Sequence, residues 1–332
     1  SVSAYFDDDN KNKIQSRLTV ADGKKLDKLS IENKSQAEAI LSELSKRNFT
    51  VSKVDKKQVK RNPKPPFTTS TLQQEASRKL GFSASKTMTI AQKLYEGVSI
   101  GSETTGLITY MRTDGVSVAN EAIENARKAI KSNFGEKYLP EKPRYYSSKQ
   151  KNAQEAHEAI RPTDPRRTPE SLAKYLDKDQ LKLYDLIWKR LVASQMEPVV
   201  MNKVAVDIAA NDNQFVFRAN GNTIVFDGFY KLYREGFDDK EDEDKESILP
   251  DLKEGDSLSF SKKTEKDNPL AEQHFTQPPP RYNEASLVKK LEELGIGRPS
   301  TYASIISILI ERGYVKLEQK RFYPEVRGRV VT

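Results

Sequence analysis

Tyr110, Arg112 and Asp114 bring a phenol, a guanidinium and a carboxylate into five residues of the stretch GLITYMRTD, Gly106 to Asp114. In an extended segment alternate side chains share a face, so Tyr110 and Arg112 stand together while Leu107, Thr109 and Met111 take the other side. A tyrosine hydroxyl is a weak nucleophile near neutral pH because it is almost wholly protonated there. A neighbouring cation stabilises the phenolate, and an arginine fork also holds a phosphate through two parallel hydrogen bonds. The pair therefore suits attack on a phosphate. Spacing alone fits a half-buried strand with a snorkelling arginine equally well. His157, between two glutamates in QEAHEAIRP, adds an imidazole, a group that changes charge near neutral pH and is useful beside phosphate. A lone histidine there also reads as a surface or capping residue, and His274, just before a triple proline, reads as structural.

Helices and turns must carry these side chains. Thr69 or Ser70 can cap a helix running to Leu80, with Gly81 ending it in the left-handed conformation; Ser83 or Ser85 caps the next, which Gly97 ends. The Tyr110 strand then completes the order helix, tight turn, helix, strand of a winged helix-turn-helix. Val118 to Phe134 is an amphipathic helix closed by Gly135. Thr168 caps a further helix with Pro169 at its first position, and Asp177 with Gln180 forms a capping box for one over Lys178 to Met196. Period two marks strands over Ser1 to Phe6, Lys13 to Ala21, Asn48 to Lys60, Val199 to Ala210, Gln214 to Ala219 and Thr223 to Tyr233, with Asn220 and Gly221 as a hairpin turn. Lys34 to Arg47 has helical spacing. Proline at 63, 65 and 66 marks a boundary near Phe67, and Pro198 another.

The end of the chain repeats the earlier design. Leu294, Gly295, Ile296, Ser300, Ala303, Ile306, Leu309 and Gly313 echo Leu80, Gly81, Phe82, Ser85, Thr87, Ala91, Leu94 and Gly97, with Tyr314 to Leu317 and Arg321 to Val326 as a second wing. In the GIGRPST turn, Arg298 sits with Ser300 and Thr301 beside a helix N-terminus, where backbone N–H groups and the helix dipole favour phosphate.

Composition points the same way. With 36% hydrophobic and 31% charged residues among 332, several small cores are expected. The run Glu235 to Glu246 holds eight acids against two lysines, a net of −6, which leaves +14 on the rest of a chain whose total is +8. A polyanion would meet that remainder. Cysteine is absent, which excludes disulfides and cysteine-based zinc sites, and no apolar run approaches the length of a membrane span. A cytoplasmic location is expected. The opening Ser1 inside a strand-like run suggests a piece of something longer.

Four blocks, TSTLQQEASRKLGFSASKTMTIAQKLYEG (Thr69 to Gly97), GLITYMRTD, QEAHEAIRP (Gln154 to Pro162) and GIGRPSTYASII (Gly295 to Ile306), resemble the bacterial type IA DNA topoisomerase I family in the same order. The resemblance implies that Tyr110 is the cleavage tyrosine, forming a covalent bond to the 5′ phosphate of a cut single strand. It places Arg112 and His157 at the active site and on DNA, with Arg161, Arg298, Ser300 and Thr301 as further DNA contacts. One departure is Gly115, where the family usually has serine after TD. The family's Mg²⁺ site and its acid for the leaving group belong to an N-terminal Toprim domain. No matching acidic cluster occurs here, so this chain is expected to be half an active site that binds no metal itself and needs that domain in cis.

The expected fold is α+β and multidomain: a discontinuous β-rich arch over 1–67 and 198–277, an inserted helical winged-helix-like domain over 68–197 carrying the tyrosine, and a partial second winged-helix-like unit over 278–332. The expected partner is DNA, single-stranded by preference, with no membrane. A winged-helix regulator that reads duplex DNA in the major groove without catalysis is the alternative. A tyrosine recombinase or nicking enzyme is a second rival, distinguished by a 3′ phosphotyrosine linkage.

Overall fold

Alternating patterns near the start of the chain become strands because each can turn one face to a shared core. In the computed structural model, which describes residues 1–27, 29–147, 157–238, 248–262 and 268–332, β1 (Val2–Asp7) and β2 (Lys13–Ala21) bury alternate residues and pair antiparallel from Ser3 opposite Arg17 to Asp7 opposite Lys13. The chain forms two compact units: Ser1–Arg61 with Val200–Phe226 and Glu241–Pro278, and Asn62–Val199 with Asp227–Lys240 and Pro279–Thr332.

The first unit is a mostly β structure. It adds β3 (Lys24–Lys25), α1 (Lys34–Leu44), β4 (Phe49–Arg61), β7 (Val199–Ala210), β8 (Val216–Phe226), β9 (Ser257–Phe260) and β10 (Leu270–Ala271). The strand order is β10-β1-β9-β4-β7-β8-β2-β3, and β1 also pairs β2, so six strands close on themselves and leave β3 and β10 outside the ring. Inside it Phe6 meets Phe49 and Phe217 edge-on, each with ring centroids 5.3 Å apart, and stacks on Phe260 at 4.9 Å. Such contacts add to the burial of each ring.

The second unit is mostly helical. α2 (Thr69–Leu80) ends at Gly81, φ +67°; α3 (Ala84–Glu96) starts from Ser83, whose hydroxyl accepts the Lys86 N–H, and ends at Gly97. A short hairpin follows, β5 (Val98–Ile100) on β6 (Glu103–Thr105). α4 (Asn120–Phe134), α5 (Pro169–Leu172) and α6 (Lys178–Ser194) come next, with Thr168 capping α5 and the Asp177–Gln180 box capping α6 as the sequence predicts. The late helices α7 (Glu284–Glu293) and α8 (Tyr302–Glu311) lead to the hairpin β11 (Val315–Glu318) and β12 (Arg321–Pro324), then α9 (Val326–Val331). One core joins Ala84 of α3 to Val288 and Leu291 of α7, Tyr302 and Ile306 of α8 and Phe322 of β12. The structure is thus mixed α and β with antiparallel sheets, and 279–332 share a unit with the tyrosine segment.

Four local expectations change. β8 runs straight through Asn220 and Gly221, which face Ala205 and Val204 of β7; the hairpin turns instead at Asn211 to Gln214, with Asn213 at φ +57° and the Asp212 carboxylate accepting the Gln214 N–H. β8 then stops at Phe226, short of the expected Tyr233, and a 3-10 turn over Gly228–Lys231 follows. The cap of α2 is Thr68, not Thr69 or Ser70, because the Thr68 and Thr71 side chains satisfy each other's backbone N–H. Residues 106–114 do not form a strand: two consecutive residues, Leu107 and Ile108, are buried, a single bridge joins Ile108 to Pro162, and the chain bends at Met111 and Arg112. Gln154 to Ala156 of the QEAHEAIRP block, and 239–246 of the acidic run, lie outside the described residues.

Candidate active site

The Tyr110 segment is held by partners far away in sequence. Residues 107–109 run beside 160–163: the Thr109 N–H donates to the Arg161 carbonyl (2.9 Å), and the Thr163 N–H to the Leu107 carbonyl (3.0 Å). The Thr109 hydroxyl donates to the Ala159 carbonyl (2.7 Å) and accepts the Arg161 N–H (3.0 Å). Beyond the tyrosine, Thr69 of α2 takes over, with its hydroxyl near both flanks of Arg112. Gly106 lets the chain pass the end of α3, since a Cβ there would meet the Tyr95 carbonyl at 2.6 Å.

Tyr110 is 38% exposed, with its ring between two others. Tyr95, from the last turn of α3, meets it edge-on at a centroid distance of 5.4 Å, and the His157 ring lies 5.8 Å away, tilted 43°. Sequence reasoning singled out His157 but missed Tyr95, which no spacing marks. Gly115 accounts for the approach of His157: a Cβ at Gly115 would sit 2.1 Å from the His157 carbonyl oxygen and 3.1 Å from the Thr113 hydroxyl. Glycine at this position thus has a packing basis.

Three buried phenols are poor rivals for nucleophile. Burial pushes Tyr146 up to about 12 and raises Tyr184 and Tyr233 further, so their protons are held tightly. Each also has a fixed partner: Tyr146 donates to the Ser194 carbonyl (2.9 Å), Tyr184 to the Arg167 carbonyl (2.7 Å), and Tyr233 to the buried Glu75 carboxylate (2.5 Å).

The cationic residues divide into engaged and free. Arg112 is exposed, and no described residue pairs with its guanidinium. It lines a cavity of about 770 Å³ between α3 and α8, with Ser85, Thr89 and Lys93 on one side and Ser300 and Ser304 on the other. Arg161, by contrast, is mostly buried, paired with Glu158 (2.6 Å) and donating to the Pro162 carbonyl (2.9 Å). Arg298 folds back on its own turn, donating to the Gly297 carbonyl (2.7 Å), while its carbonyl accepts the N–H groups of Thr301 and Tyr302. The Thr301 hydroxyl in turn accepts the Arg298 N–H (2.8 Å). The Thr301 and Tyr302 amides are therefore already occupied. Tyr110, Arg112 and His157 thus belong to one neighbourhood, Ser300 reaches the same cavity as Arg112, and Arg161, Arg298 and Thr301 serve their own loops.

Among the described residues no group of three or more acidic or histidine side chains could hold a metal ion. No helix among them is long and apolar enough to cross a membrane.

The family model described as DNA topoisomerase matches residues 1–332. The chain is 58% identical over 331 residues to DNA topoisomerase 1 of Rickettsia felis, covering all of this chain and 42% of that protein. It is 50% identical over 325 residues to DNA topoisomerase 1 of Xylella fastidiosa strain Temecula1, covering 96% of this chain and 39% of the relative. The fold matches full-length topoisomerase I from Thermotoga maritima with a TM-score of 0.75 and 38% identity, over 99% of this chain and 50% of that one. The chain thus spans about two fifths of the length of the curated relatives it matches.

Proposed function

The chain belongs to the DNA topoisomerase family, and from that premise we propose that it is the tyrosine-bearing part of a type IA enzyme that cuts one DNA strand, passes another through the gap and reseals it, relaxing negatively supercoiled DNA without ATP. One observation carries the reading: Tyr110 is an exposed phenol packed between Tyr95 and His157, two residues from an unpaired Arg112 that opens on a hydroxyl-lined cavity.

The Tyr110 oxygen attacks a backbone phosphorus, its proton is lost, a bond from the tyrosine to the 5′ phosphate forms and the bond to the 3′ oxygen breaks; that oxygen leaves as a hydroxyl after taking a proton. Negative charge grows on the non-bridging oxygens, and fixed donors such as Arg112 and His157 stabilise it. The phosphotyrosine keeps the energy of the broken ester, so the 3′ hydroxyl reseals the strand by the reverse attack. No step needs a nucleotide, in keeping with the absence of a GxxxxGK[ST] loop in this sequence. The leaving-group proton and the magnesium ligands come from a Toprim domain in cis, which leaves this chain alone competent to bind single-stranded DNA and not to cleave it.

In this reading α2, α3 and β5–β6 form one winged-helix-like module, α7, α8 and β11–β12 a second and partial one, and the β-rich unit, 1–67 with 198–277, an arch whose opening lets the strand pass in the cytoplasm. A duplex-reading regulator would lay α3 in a major groove. Its residues Ser85, Met88, Thr89 and Gln92 line a cavity that α8 faces from the other side, which weighs against that docking. In the full-length enzyme, relaxation of negatively supercoiled plasmid without ATP is the test. Loss of relaxation in Tyr110→Phe is expected, and relaxation by that variant would defeat the reading.

A further inference from the structure

Tyr110 to Arg112 are flanked by two threonine anchors: Thr109, just before them, is tied by its hydroxyl to Ala159 and Arg161, and the Thr69 hydroxyl binds Met111 and Thr113. We propose that Thr69 and Thr109 are positioning residues for the cleavage step, a reading that rests on the function proposed for Tyr110 and Arg112. Neither threonine lines the cavity; the sequence marks Thr69 only as a helix cap and Thr109 only as a residue on the face opposite Tyr110.

Thr69 is fully buried in the first turn of α2. Its hydroxyl donates toward the Met111 carbonyl (2.7 Å) and the Thr113 carbonyl (3.1 Å) and accepts the Thr113 N–H (2.8 Å). Its own N–H donates to the Thr113 carbonyl (2.9 Å). Thr68 caps the helix, so the Thr69 side chain is left free to hold this loop. Both neighbours of Arg112 are thereby fixed to one oxygen on a rigid helix, and a β-branched side chain holds that oxygen in few rotamers. Thr109 does the same on the other side, bridging the Ala159 carbonyl and the Arg161 N–H just before Tyr110.

The consequence is a short bend whose ends cannot shift while its two outward side chains stay exposed. A nucleophile and a phosphate-holding fork on a loop lose rate steeply when the loop is loose, since a misplacement of about 1 Å can slow a step by roughly 10²-fold. The Arg112 backbone is set by Thr69, and the Tyr110 backbone by Thr109. Both hydroxyls are engaged by backbone groups. Their effect is confined to how the reacting groups are presented.

The test uses Thr69→Val and Thr109→Val in the full-length enzyme, which keep the branched shape and remove the oxygen, beside Thr69→Ser and Thr109→Ser, which keep the oxygen. Single-turnover cleavage of a single-stranded oligonucleotide is measured well below each variant's unfolding temperature, with noncovalent affinity for the same strand measured without metal. Cleavage should fall by about 10²-fold in the valine variants and return in the serine variants, with affinity unchanged. Valine variants that cleave at the parental rate, or serine variants as slow as the valine ones, overturn the proposal. If Thr69→Val does not fold, Thr109→Val decides by the same criteria. Tyr110→Phe is run alongside: adduct formation by it would defeat the functional reading itself, whereas an inactive Tyr110→Phe beside a fully active Thr69→Val would defeat only this proposal.

Discussion

Arg112→Lys separates a catalytic guanidinium from a surface one, because lysine keeps the charge and loses the planar pair of donors. The structure sets both sides of the expectation. Arg112 is exposed and pairs with no described residue, so folding should lose at most about 0.5 kcal/mol, a shift of roughly 1 to 2 °C in Tm for a unit of this size. Removing one positioned donor to a developing charge typically costs about 3 to 4 kcal/mol, roughly 10² to 10³ in rate. The two effects differ in which observable moves. Tm and single-turnover cleavage should be read on the same preparation of full-length enzyme. Arg127, on α4, is unsuited as the control, since it donates to the Pro140 carbonyl at 2.8 Å and holds a turn. Arg166→Lys is the better one: its guanidinium is exposed to solvent, which screens its pair with Asp164. An unchanged cleavage rate in Arg112→Lys would reduce Arg112 to scaffold and refute the assignment.

Three further outcomes are expected. The isolated chain should bind single-stranded DNA with an affinity that falls as salt rises, because the +14 outside the acidic run displaces counterions; a salt-independent affinity in a filter-binding titration would contradict this. Gly115→Ser should lower Tm by the equivalent of about 1 to 3 kcal/mol and slow cleavage, since its Cβ meets the His157 carbonyl at 2.1 Å; a variant as stable and fast as the parent would show that the loop relaxes freely. Glu75→Ala should cost about 3 kcal/mol in urea unfolding, because this buried carboxylate accepts from the Tyr233 hydroxyl and the Gly236 N–H (3.1 Å) and pairs with Arg78 (3.2 Å); a loss below about 1 kcal/mol would mean the network contributes little.

What could be read from the sequence is what depends on neighbours in the chain. Ser83, the Thr168–Pro169 start and the Asp177–Gln180 box are local capping chemistry, and Gly81 ends its helix because αL conformation there needs no Cβ. Asn220–Gly221 misled because a strong turn signal was overridden by the long pairing of β8 with β7, which runs from Val216 to Phe226 through both residues. The Tyr110 run misled for the opposite reason. Its alternation is real for Tyr110 and Arg112, both exposed, yet its hydrogen bonds go to Thr69 and to 159–163, partners about forty and fifty residues away. Tyr95 and Thr69 were illegible on the same grounds, since their roles arise only when α2 and α3 are folded against the loop.

The central claim is that Tyr110 is the nucleophile and takes the 5′ phosphate. Cleavage of a single-stranded oligonucleotide by the full-length enzyme, labelled separately at each end, followed by denaturation, proteolysis and mass spectrometry of the labelled peptide, tests it in one measurement. The account predicts a single adduct on the peptide containing Tyr110, carrying the fragment downstream of the cut through its 5′ phosphate. An adduct on another residue, or on the upstream fragment through a 3′ phosphate, would contradict it.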